Sequence, residues 1–103
     1  MTSTADLLKR FCQSVRHPQM SGFEVLELLD SRSALARREE ELSEPQRKTL
    51  EEADEVFFRH AAQFHESVTQ IANLAEMRKR AAAPPSHWWW YLEKLSLVER
   101  AAL

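Results

Sequence analysis

His60 and His65, with Glu66 beside them, are the first candidates for binding a metal or moving a proton. Metal sites built on helices use ligands at i, i+3 or i, i+4, because those positions share a face. His60 and His65 are five apart, which turns their imidazoles ~140° from one another. The chain has neither the E-x-x-H nor the H-E-x-x-H pattern. No metal ligand is therefore assigned, and no cofactor is expected. Cys12 is the only cysteine and falls on an apolar stripe, where an inert buried thiol is the ordinary outcome. Serine, histidine and aspartate occur in no triad or nucleophile-elbow context. With a single glycine, Gly22, no phosphate-cradling loop can be built.

One spacing suggests an enzyme. Arg59-His60-x-x-x-x-His65 resembles the Arg-polar-x4-His pattern of HEPN-type helical ribonucleases, and some toxin–antitoxin components would fit the same class. The resemblance implies a groove between two subunits. There His65 would act on the attacking 2′-hydroxyl and Arg59 would steady the phosphate charge. The family's pattern usually opens a helix, whereas here it falls inside a long predicted one. This is the alternative reading, and no residue is assigned as catalytic on it.

The leading signal is aromatic. Trp88, Trp89 and Trp90 are the only tryptophans, and Tyr91 follows directly. On a helix, successive residues turn ~100°, so the three indoles would fan over ~200° of surface. One packed face rarely covers that much, so part of the run is expected to serve a second surface. Trp is enriched at binding hot spots, which makes Trp88, Trp89, Trp90 and Tyr91 the candidate partner-binding residues.

The elements that would hold these residues are helical. Ser3 with Asp6 starts a first helix from about Thr4 to Arg16, with Leu7, Leu8, Phe11, Cys12 and Val15 as its stripe and Pro18 as its stop. Ser21 and Glu24 form a capping box for a second helix that runs to about Leu42, with Gly22 harmless in its first turn. Ser43, Pro45 and Gln46 start a third helix. In it Leu50, Phe57, Phe64 and Ile71 recur every seventh residue, a heptad-like seam expected at a dimer interface. The third helix is predicted to run from about Glu44 to Ala82, more than roughly 50 Å. After Pro84-Pro85, Ser86 would cap a fourth helix from His87 to about Ala101, with Trp88, Leu92, Leu95 and Val98 as its buried stripe.

The expectation is thus one all-α domain over residues 1–103. Helices two and three form an antiparallel hairpin, and helix three is unusually long. Composition agrees, since one glycine, four prolines and one asparagine are too few turn formers for a β protein of 103 residues. Net charge is −2, and residues 24–55 carry eleven acidic and five basic residues. That balance gives no global attraction to nucleic acid or membrane. Arg78-Lys79-Arg80 reads as a cationic helix C-terminus rather than a phosphate-binding patch. No stretch approaches the ~20 apolar residues of a membrane span. The function expected is a small, non-enzymatic, cytoplasmic interaction or regulatory protein. Its partner would be a second copy of itself, another protein, or both, met through the Trp-rich helix face, led by Trp89 and Trp90.

Overall fold

The structure is a computed structural model that describes residues 3–102, and the side chains of residues 3–98. Met1, Thr2 and Leu103 of the predicted 1–103 domain lie outside the described residues. Among the described residues there are six α-helices and no strand: α1 Thr4–Val15, α2 Gly22–Arg37, α3 Glu44–Arg59, α4 Ala61–Thr69, α5 Leu74–Arg80 and α6 Leu92–Ala102. Two short 3-10 turns, Glu39–Glu41 and Trp88–Trp90, complete the chain. No helix is long and apolar enough to cross a membrane, among the described residues.

The helix starts follow the local chemistry. Ser3 Oγ accepts from the Asp6 amide, and full capping boxes form at Ser21/Glu24 and Ser43/Gln46. Each satisfies amides that the helix itself leaves unbonded. Between α2 and α3, Arg47 donates to the carbonyls of Glu39 and Leu42 and ties down the acidic 3-10 turn.

The long third helix is corrected to three helices. A straight helix over Glu44–Ala82 would exceed roughly 50 Å, whereas the whole molecule measures 34 × 32 × 24 Å. The chain leaves helical geometry at His60 (φ −104°, ψ 8°), and it breaks again before Asn73, whose side chain caps α5 by accepting from the Glu76 amide. No proline or glycine marks the His60 break. Packing accounts for it: the bend keeps Phe57 and Phe64 in one core, with ring centroids 5.2 Å apart. Leu50, Phe57 and Phe64 are all buried there, so the heptad seam is filled by the chain's own helices, and only Ile71 is exposed.

The predicted antiparallel hairpin of helices two and three does not form as a simple pair, since α2 meets the predicted third helix mainly at α4. α1 packs on both α2 and α3, while α2 packs mainly on α1 and α4, and α6 lies chiefly along α4. Gly22 is not a neutral passenger in this arrangement. A Cβ at its position would stand 2.5 Å from the Ser67 carbonyl oxygen and 2.3 Å from Ile71 Cγ1. The absence of a side chain is what lets the start of α2 touch α4.

The end of α5 decides where the tryptophans go. Ala82 sits in the left-handed region (φ 52°), the Ala82 amide donates to Lys79 and the Ala83 amide to Arg78. That is the hydrogen-bond pattern of a Schellman cap, which stops the helix and reverses the chain. Pro84 and Pro85 then carry it into the aromatic turn.

Candidate interaction site

Trp88–Trp90 form a 3-10 turn rather than the first turn of a helix, and α6 starts only at Leu92. The predicted stripe holds only in part, with Leu92 buried, Trp88 and Leu95 half-buried and Val98 exposed, and Trp89 and Trp90, expected to lead the partner face, go inward instead. Trp89 and Trp90 are each 2% exposed, while Trp88 and Tyr91 are half-buried. The steeper rotation of a 3-10 turn aims both buried indoles at α2.

They meet one hydroxyl. Trp89 Nε1–H and Trp90 Nε1–H each donate to Ser33 Oγ, both at 3.0 Å, and His87 Nδ1 lies 3.0 Å from the same oxygen. A serine hydroxyl has two acceptor lone pairs and one proton to donate, and an indole N–H can only donate. Both lone pairs are therefore taken, and the Ser33 proton must go to His87. That requires Nδ1 to be unprotonated, so His87 is the neutral Nε2–H tautomer. Burial is the main force holding the His87 pKa below its ordinary value, and the cations Arg37 and Arg32 add to it. Ser33 is 3% exposed and its lone pairs are occupied, so this Ser–His pair has no free nucleophile to offer a substrate.

The aromatic turn is held from two further directions. Arg32, 8% exposed, lies 4.2 Å over the Trp89 ring and donates twice to Asp54, at 2.9 and 3.0 Å. Burial raises the Asp54 pKa, and its hydrogen bonds with Arg32 partly offset this. From α5, Arg78 donates to the Trp90 carbonyl at 3.0 Å and to Glu93 at 2.8 Å, and it stacks 4.2 Å over Tyr91. Arg78 thus serves the fold; the exposed members of the basic run are Lys79 and Arg80.

What this scaffold presents is Trp88. Its indole meets Phe57 edge-on at 5.7 Å, and its outer part lines a cavity of about 430 Å³ with Phe58, Arg59, Asp54, Glu55 and Leu95. A second hollow of about 350 Å³, bounded by Pro85, Tyr91 and Lys94, shares Trp88 and Leu95 with it. The first is a groove between α3 and α6, its lining joining the apolar Phe58, Trp88 and Leu95 with the charged Asp54, Glu55 and Arg59. Alongside it, α6 exposes Val98 (55%).

The enzyme-like residues are placed differently. Arg59 lines this groove, whereas His65 lines a separate cavity of about 490 Å³ with Thr69, Asn73, Arg78 and Glu93. Of the cavities described here, none is lined by both. Among the described residues no group of three or more His, Cys, Asp or Glu is gathered to hold a metal. Burial raises the Cys12 pKa, against the opposing influence of Arg16, which leaves less thiolate at neutral pH.

Sequence reading missed Ser33, Arg32, Asp54 and His87. The available signal was a serine, Ser33, on one predicted face of helix two with Phe23, Leu26 and Leu29, of which Phe23 is in fact exposed. Comparison with protein-family models, with curated proteins and with solved structures found no match to this chain.

Proposed function

We propose that this chain is a non-enzymatic interaction protein whose docking surface is the Trp88 groove between α3 and α6, and that its first occupant is a second copy of itself. The observation that carries the reading is the half-buried Trp88 lining an apolar groove. A helix lying in such a groove buries one apolar face in a mode widely used in protein recognition. The second copy is favoured by what lies next to the groove. Leu95 and Val98 sit one turn apart on α6, so a two-fold axis would set each molecule's α6 ridge into the other's groove. The charges support this pairing, with Glu55 on the α3 wall and Lys94 on the α6 wall. A stable interface of this kind buries about 800 Å² per partner, largely at an apolar centre.

Solution mass by light scattering tests the proposal. The wild type is expected as a dimer, with Val98→Glu and Trp88→Ala shifting it to a monomer of unchanged helicity. A dimer indifferent to both substitutions, or a wild-type monomer at high concentration, would remove self-docking at this groove.

A further inference from the structure

We infer that the Ser33–His87–Trp89–Trp90 cluster is an acid-triggered conformational switch: protonation of His87 releases the aromatic turn from α2. The geometry leaves the cluster no neutral way to accept a proton. Ser33 Oγ already accepts from both indoles and gives its own proton to His87 Nδ1. An imidazolium would carry a hydrogen on Nδ1, placing a third N–H donor against an oxygen with two lone pairs. One of the three must leave. Among the described residues every buried side-chain polar atom has a hydrogen-bond partner, so the displaced donor gives up a bond that it now holds.

The surrounding charges push in the same direction. His87 is 9% exposed and stacks on Trp89 with centroids 4.6 Å apart, while the Arg32 guanidinium lies 4.2 Å over that same ring. A charged His87 would be a second cation on one indole. Arg37, from the end of α2, also disfavours it. Asp54 of α3 is bonded to Arg32 and balances that charge rather than His87, and Asp30 of α2 interacts with Arg37. Burial and both arginines thus move His87 protonation to lower pH than that of an ordinary imidazole, and protonation comes at the expense of the cluster.

Release would be felt at the surface. Trp88 directly follows His87 and meets Trp89 edge-on at 5.6 Å, so the groove lining moves with the turn. This consequence alone rests on the docking reading; the switch itself needs no partner.

The test is a pH titration of the ¹⁵N-labelled protein from 7.5 to 5, following the three indole N–H signals and the His87 ring nitrogens. At pH 7.5 the His87 Nδ1 should carry the shift of an unprotonated nitrogen. On acidification the Trp89 and Trp90 signals should move and lose exchange protection with the midpoint of His87. His87→Asn, whose side-chain oxygen can take the Nδ1 place without titrating, should hold both signals across the range. Three results would each overturn the switch: a protonated Nδ1 at pH 7.5, indole signals unmoved while His87 titrates, or the same transition in His87→Asn. The wild-type nitrogen shifts and midpoints decide the matter even if the variant fails to fold. Since all readouts come from the protein alone, failure of the switch is distinguishable from failure of the docking proposal.

Discussion

Gly22 and Ser67 are in direct backbone contact: a methyl group added at Gly22 would stand 2.5 Å from the Ser67 carbonyl oxygen. This single approach fixes the start of α2 against the end of α4. Gly22→Ala pits two effects against each other. Alanine is favoured over glycine in a helix by up to about 1 kcal/mol, but an overpacked contact costs about 1–3 kcal/mol. The obstacle is backbone as well as the Ile71 side chain, so it yields little, and the clash should win. Urea unfolding is expected to show a net loss of about 1–2 kcal/mol; a gain would mean that α2 and α4 are not seated as described.

Ser33→Ala should be among the most damaging small substitutions in the chain. It removes one oxygen and strands two buried indole N–H groups together with His87 Nδ1. Each buried polar group left unpaired costs about 1–3 kcal/mol, so a loss of about 3 kcal/mol or more is expected in chemical denaturation. The Trp89 and Trp90 indole signals should move together in this variant. A loss below about 1 kcal/mol would argue against the shared hydroxyl.

Ala82→Gly should stabilise. Ala82 holds φ 52° at the Schellman turn after α5. A non-glycine residue there costs about 1–2 kcal/mol, while glycine adds about 0.4–1 kcal/mol of unfolded-state entropy. The balance favours glycine by about 0.5–1 kcal/mol, readable as a raised urea midpoint at unchanged slope. A lowered midpoint would mean that the turn does not require the left-handed conformation.

The Arg32–Asp54 pair gives a coupling test. Arg32 is almost wholly buried, and its guanidinium loses the carboxylate of Asp54 in Asp54→Asn. Breaking a fully buried pair costs about 3–5 kcal/mol, and partial exposure here reduces that to about 2 kcal/mol. Replacing both residues, as Arg32→Met with Asp54→Leu, should cost less than the sum of the single changes. Strict additivity in the double-mutant cycle would show that the two groups do not share their energy.

Stability should fall as the solution is acidified from pH 7 towards pH 5. His87 has a folded-state pKa below its ordinary value, so in that window the unfolded chain binds more protons than the folded one. Its contribution is therefore fully present above about 6.5 and is lost as pH drops through the folded value. Asp54 works the other way: its pKa is raised, so the folded state gains relative stability as pH falls through that raised value towards the usual aspartate range. Urea midpoints at pH 7.5 and 5.5 should differ for the wild type and much less for His87→Asn. A wild-type midpoint that rises on acidification would contradict the assigned sign.

By itself the sequence determined the helical class, the capped starts of α1, α2 and α3, and the two chain reversals at Pro18 and Pro84-Pro85. These are local events, set by side chains that bond their own backbone within a turn or by a ring that cannot continue a helix. It also determined that Leu50, Phe57 and Phe64 share a face. The tertiary structure alone decided that this face bends at His60 to stay on one core, since no residue there forces a break. Tertiary structure likewise turned Trp89 and Trp90 inward and left Trp88 at the groove. Period-3.6 reasoning assumes that the helix begins at His87, capped by Ser86. The actual rotation is set by Arg78 gripping the Trp90 carbonyl from α5 and by Ser33 receiving both indoles from α2. Those partners lie 12 to 57 residues away along the chain, and only a folded molecule brings them together.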